Sequence, residues 1–119
     1  MPRFARRIQP WVQIELDAAD IAEARAESTQ AFRHLERAHV LGQAATTEHV
    51  RVHWRMLSWA LRHRKPREAV GQLGRLAAAA VMTGIGWLPE GNTGGADVSA
   101  LRRMPIPPDL QQLIDAARR

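Results

Sequence analysis

The sequence predicts an all-α protein, about five helices in antiparallel hairpins, with residues 1–119 forming one domain. Three observations predict it. Apolar residues recur at spacings of three and four along most of the chain, which is the helical period. Residues that start and stop helices divide these stretches into segments. The links between the segments are short enough to require antiparallel neighbours. With 119 residues, 45% hydrophobic and 24% charged, the chain is long enough to bury one core, too short for two, and far from the composition of a disordered protein.

Pro10 suits the first turn of a helix, and Trp11, Ile14, Ala18 and Ile21 give a first helix a stripe that runs to about Ala26. Ser28 or Thr29 caps a second helix, whose stripe is Phe32, Leu35 and Ala38 with His39 beside it, and Gly42 ends it as a left-handed stop. Thr46 or Thr47 caps the third. There Val50, Trp54, Leu57 and Leu61 form one stripe and His49, His53, Met56 and Ala60 the adjacent one, with Arg51 on the opposite face, before the basic run His63, Arg64, Lys65. Pro66 opens the fourth helix, with Val70, Leu73, Ala77, Ala80 and Val81 as its core side, Gly71 and Gly74 admitting a neighbouring helix, and Gly84 and Gly86 at its end. A Gly/Pro-rich loop comes next at about 88–107, from Leu88 and Pro89 to Pro105 and Pro107, and is either docked or a lid. Pro108 and Asp109 then start a short C-terminal helix through Leu110, Leu113, Ile114 and Ala117.

Composition excludes several functions. The absence of cysteine removes disulfides, thiolate metal sites and a cysteine nucleophile, and leaves imidazole and carboxylate as metal ligands. The basic start, Met1 to Arg7, is not succeeded by the apolar core of a signal peptide, because Gln9, Gln13 and Glu15 interrupt the adjoining stretch, so the expected location is the cytoplasm. The longest apolar run, Leu76 to Leu88, contains two glycines and falls short of the roughly 20 residues of a membrane span, so no membrane partner is expected. The net charge of +5 comes almost wholly from arginine, with Lys65 the only lysine. These arginines are scattered, and no nucleic-acid motif accompanies them, so the charge is read as a general electrostatic footprint and nucleic acid is not the expected partner.

One constellation suggests chemistry. Glu36 and His39 lie three apart, a polar break holds Gly42, Gln43, Thr46 and Thr47, and His49 and His53 come after it, four apart. Residues three or four apart share a helix face, so a tight hairpin brings one carboxylate and three imidazoles together. Imidazole is the commonest side-chain ligand for zinc, copper and nickel, and Glu36, His39, His49 and His53 are therefore a candidate site for Zn²⁺, Ni²⁺ or Cu²⁺. The competing reading is a structural polar network in which His39 hydrogen-bonds His49 or Thr47, since buried polar groups ordinarily satisfy one another. Metal ligands must be neutral, so stabilisation by metal is expected to fade as the pH falls through the histidine range near about 6.5. His34 and His63 fall off this face. Gly91, Asn92, Thr93, Gly94 and Gly95 offer backbone amides to an anion, but a structural turn is the favoured reading of such residues, and the Walker lysine is missing.

Catalysis is not expected. Ser28, Ser58 and Ser99 lie in no nucleophile elbow, and of the two Glu-x-x-His pairs of a di-iron bundle only Glu36 to His39 is present.

Two resemblances add to this reading. Ala31, Leu35 and Ala38 are nearly repeated by Ala69, Leu73 and Leu76, 38 residues later, which resembles the second helix of tetratricopeptide repeats and implies stacked, tetratricopeptide-like hairpins. The strings FRHLERAHVLGQ (32–43), HVRVHWRML (49–57) and GNTGGADVS (91–99) together resemble a small bacterial family catalogued as a domain of unknown function, number 3703. That resemblance covers nearly the whole chain and implies a complete member, but lends no activity. The functional expectation is a small non-catalytic binding protein with a transition-metal site on a helical hairpin. The alternative is a protein-interaction module in which the histidines are structural and a groove between hairpins takes a partner helix or peptide.

Overall fold

A computed structural model describes residues 2–84, 92–96 and 102–119, and of 79–84 the backbone only. The expectations placed on Gly86, Leu88, Pro89, Gly91 and the side chains of Ala80 and Val81 lie outside the described residues. The described chain is all-helical: α1 (Arg3–Ala24), α2 (Ser28–Gly42), α3 (Thr46–Arg62), α4 (Pro66–Gly84) and α5 (Pro108–Arg118). Consecutive helices α1 to α4 pack pairwise, and α5 lies against α1 and α2. None of the described helices is long and apolar enough to cross a membrane.

The links 25–27 and 63–65 are two copies of one device. After α1 the Glu27 N–H donates to the Ala22 carbonyl and the Ala26 N–H to that of Glu23. After α3 the Lys65 N–H donates to Ala60 and the Arg64 N–H to Leu61. These are Schellman closures, and their left-handed residues are Ala26 (φ 59°) and Arg64 (φ 54°). Helix ends, left-handed residues and the next helix starts are all offset by 38 residues, the interval seen in the sequence. The echo holds for the buried pair Ala31 and Ala69 but breaks at Leu35 and Leu73, which are buried and exposed respectively.

Gly42 is different. It ends α2, as expected, but without a left-handed conformation, and the next residue, Gln43, is right-handed helical. A Cβ on Gly42 would stand 3.0 Å from Glu48 Cβ and 3.3 Å from Val12 Cγ2. Glycine is needed here for close approach of three helices, not for a positive φ. No side chain caps α2 or α3, whose capping residues are Glu27 and Ala45.

Three helix faces differ from the expected ones. In α1 the buried stripe is Ala5, Ile8, Val12, Leu16, Ala19 and Ala22, while Trp11, Ile14 and Ile21 are exposed. Beginning the helix at Pro10 hid this phase, because the helix starts at Arg3 and carries Pro10 inside it. An interior proline costs about 3 kcal/mol, which burial of Ile8 alone, worth about 1.5–3 kcal/mol, nearly offsets. In α4 the inward residues are Ala69 and Gln72, and Val70, Leu73 and Ala77 face outward. Gly71 is crowded by Ala96 of a later segment and Gly74 faces open space, so neither admits a helix. In α3 the stripe of His49, His53, Met56 and Ala60 is buried, with Leu57, whereas Trp54 and Leu61 are exposed. Arg51 is not on a free outer face: it donates to Glu48 and to Gln13 of α1. The α5 expectation holds, with Leu110, Ile114 and Ala117 buried. Arg37 of α2 ties this helix to α1 by pairing with both Asp109 and Glu15.

The α1 phase is testable. Leu16→Ala, at a fully buried position, should cost about 2–5 kcal/mol in chemical denaturation. Ile14→Ala, at a position 55% exposed, should stay within about 0.5 kcal/mol. The reverse order would show that the stripe is misassigned.

Candidate metal centre

The last turn of α2 supplies His39, the first turn of α3 supplies His49, and the next turn of α3 supplies His53. The link 43–45 is short, and Gly42 lets the start of α3 close onto α2, so side chains on the facing sides of this hairpin meet. All three imidazoles are buried, at 2–4% exposure, and their Nε2 atoms converge. His39 Nε2 lies 3.0 Å from His49 Nε2 and 3.1 Å from His53 Nε2. The rings fan around this point with centroids 4.7–4.9 Å apart.

The outer nitrogens of His39 and His53 determine which form those two rings take. His39 Nδ1 is 2.7 Å from the Asn92 carbonyl oxygen, which can only accept, so the proton of neutral His39 sits on Nδ1 and its Nε2 carries a lone pair. His53 Nδ1 is 2.6 Å from Gln72 Oε1. The orientation of that amide is set by two acceptors on its other end, since Gln72 Nε2 donates to Glu68 Oε2 at 2.7 Å and to the Gly94 carbonyl at 2.8 Å. Neutral His53 therefore also has its proton on Nδ1 and a lone pair on Nε2. His49 can lend His39 one N–H, but the 3.1 Å contact of His39 with His53 then has two acceptors and no proton. A cation at the centre resolves this conflict. Nδ1–H bound to an oxygen, with Nε2 left for the metal, is the arrangement that orients histidine ligands in metalloproteins.

The two contacts of His39 fit such an ion. With about 2.05 Å from metal to each nitrogen, two ligands are about 2.9 Å apart at a right angle and about 3.35 Å apart at a tetrahedral one. The contacts of 3.0 and 3.1 Å lie between these limits. The imidazoles are also held neutral. Burial, reinforced by the neighbouring histidines, pushes His39 well below its usual value; burial and His53 bring His49 to about 3; burial outweighs the Gln72 hydrogen bond and brings His53 to about 4.

Among the described residues, His39, His49 and His53 form the one group of potential ligands whose atoms converge, all within 4.8 Å. Glu36 is placed elsewhere: it lines a surface hollow with Phe32, Trp59, Lys65, Arg67 and Glu68. His34 pairs with Glu15, and His63 with Glu23. The loop residues Asn92 to Gly95 stand over the site. The Gly94 N–H donates to Asn92 Oδ1, and the loop turns the carbonyls of Asn92 and Gly94 to His39 and Gln72. Gly94 has φ +83°, and a Cβ there would stand 2.5 Å from His39 Cδ2.

Sequence reasoning missed Gln72 altogether and named Asn92 for another role. The signal for Gln72 was the spacing Ala69, Gln72, Leu76, a helix stripe interrupted by one amide. It was masked by the more hydrophobic set one position later, Val70, Leu73 and Ala77.

No curated protein and no solved structure matches the chain. A family model does match, over residues 6–114, a span that takes in the three histidines together with Gln72, Asn92 and Gly94. The chain thus belongs, with its whole candidate centre, to the family described as Protein of unknown function (DUF3703).

Proposed function

We propose that this chain is a small metal-binding protein that holds one transition-metal ion, Zn²⁺, Ni²⁺ or Cu²⁺, on the Nε2 atoms of His39, His49 and His53. The observation that carries the reading is the pair of lone-pair nitrogens on His39 and His53, 3.1 Å apart with their protons committed to Asn92 and Gln72. A purely structural network would place a proton in that contact, because facing acceptors in a buried site are unfavourable. Nitrogen ligands without thiolate suit these three ions. Glu36 is not required, since its side chain lines the hollow beside Lys65.

Titration calorimetry and metal analysis of tag-free protein test this reading. One ion per chain is expected at pH 7.5. The pH dependence has a definite sign. The three histidines titrate lower in the fold than their ordinary value of about 6.5, His53 at about 4 and His49 at about 3. The unfolded chain therefore takes up protons first, so apo-protein stability is full above about 6.5 and is lost as the pH falls toward 4. Protons compete for the folded site only at the bottom of that window, so metal affinity should be nearly constant from pH 7.5 to about 5. This replaces the loss near about 6.5 expected of histidines that titrate at their ordinary value. Absence of stoichiometric metal at pH 7.5, or a tenfold fall in affinity by pH 6, would leave the histidines as a structural network.

A further inference from the structure

We propose that the metal-loaded centre takes a small inorganic anion as an additional ligand beside the three imidazoles, an inference that rests on the metal-binding reading of His39, His49 and His53. The first ground is charge. Three neutral imidazoles leave the full double charge of a divalent ion in a site whose ligands are only 2–4% exposed, where uncompensated charge is strongly unfavourable. No carboxylate among the described residues joins the converging ligand group. Glu68 is held off by a whole side chain, because its Oε2 meets the Gln72 amide and the Ala96 N–H instead of the centre. Arg75 adds positive potential at both His39 and His53.

The second ground is geometry. The nitrogen contacts of 3.0 and 3.1 Å correspond to angles of about 94–98° at a metal about 2.05 Å from each nitrogen. Three imidazoles fill three positions, and a four-coordinate ion leaves a fourth for another donor. The oxygens already near the rings do not fill it, since the Asn92 carbonyl and Gln72 Oε1 bind the outer Nδ1 atoms. The third ground is size. The low exposure of the three rings admits only a compact ligand, such as hydroxide formed from metal-bound water, or an anion of two or three atoms.

Cobalt-substituted protein tests the proposal, with sodium azide as the probe. Azide should shift the visible ligand-field bands of the bound Co²⁺ saturably, and sodium perchlorate at equal ionic strength should leave them unchanged. Stoichiometric Co²⁺ with a spectrum insensitive to azide would overturn the proposal while leaving the metal reading intact, because a donor of the chain would then hold the remaining position. Failure to bind Co²⁺, Zn²⁺ or Ni²⁺ at all would overturn both.

Discussion

His39→Ala is expected to weaken metal binding at least about tenfold, whereas His34→Ala should leave it unchanged. His39 is the hub of the centre, the ring whose Nε2 lies within 3.1 Å of both others. Loss of a residue that merely orients a ligand costs about 10–100-fold in metal affinity, so loss of a ligand itself should cost no less. The same change has a stability readout. Metal present at a hundred times its dissociation constant stabilises the fold by about 2.7 kcal/mol, and each tenfold loss of affinity removes about 1.4 kcal/mol of that linkage. Calorimetric titration of the two variants, with thermal melts in saturating Zn²⁺, measures both effects. His34 is the proper control because it is a histidine of the same helix engaged with Glu15, away from the centre. Equal affinities for wild type and both variants would place the metal elsewhere.

Gly94→Ala should be the most damaging change of a single small residue, at about 2–4 kcal/mol. Two effects combine. The backbone at φ +83° is unfavourable for a residue with a side chain by about 1 kcal/mol or more, and overpacking a filled site adds about 1–3 kcal/mol. The added Cβ meets the His39 ring at 2.5–2.9 Å, and that ring has little freedom to yield because Nδ1 is tied to Asn92 and Nε2 faces two other imidazoles. Metal affinity should therefore fall together with stability. Gly74→Ala supplies the contrast. Nothing lies within 4 Å of its added methyl, and in a helix interior alanine is favoured over glycine by about 0.5–1 kcal/mol, so this variant should be slightly more stable than wild type. Denaturant titration separates the two glycines; similar effects at both would contradict the docking of residues 92–96 on His39.

Much of the molecule was legible along the chain because it depends on local spacing. The helical period, the prolines that open α4 and α5, and the offset of 38 residues between hairpins are properties of neighbours in sequence. The convergence of His39, His49 and His53 was legible for the same reason, since both helices that carry them flank one short link and each histidine lies within two turns of it.

Helix phase was less legible. In α1 and α4 two apolar stripes compete, and the set read from the sequence, Trp11, Ile14 and Ile21 or Val70 and Leu73, is the one that faces outward. Which stripe is buried depends on what the rest of the fold offers it: the docking of α2 and α5 on α1, and of α3 on α4. Gly42 shows the same division, because a glycine at a helix end is ambiguous between left-handed closure and close approach until Glu48 and Val12 are seen against it. The partners that fix the imidazole tautomers were beyond sequence reasoning altogether. Gln72 is 19 residues from His53, and Asn92 is 53 residues from His39. The sequence by itself determined that the chain is helical and that three histidines meet at a hairpin. Only the tertiary structure decided that Glu36 stands apart and that two distant residues turn the imidazole lone pairs toward one point, because hydrogen bonds between remote segments leave no periodic trace in the chain.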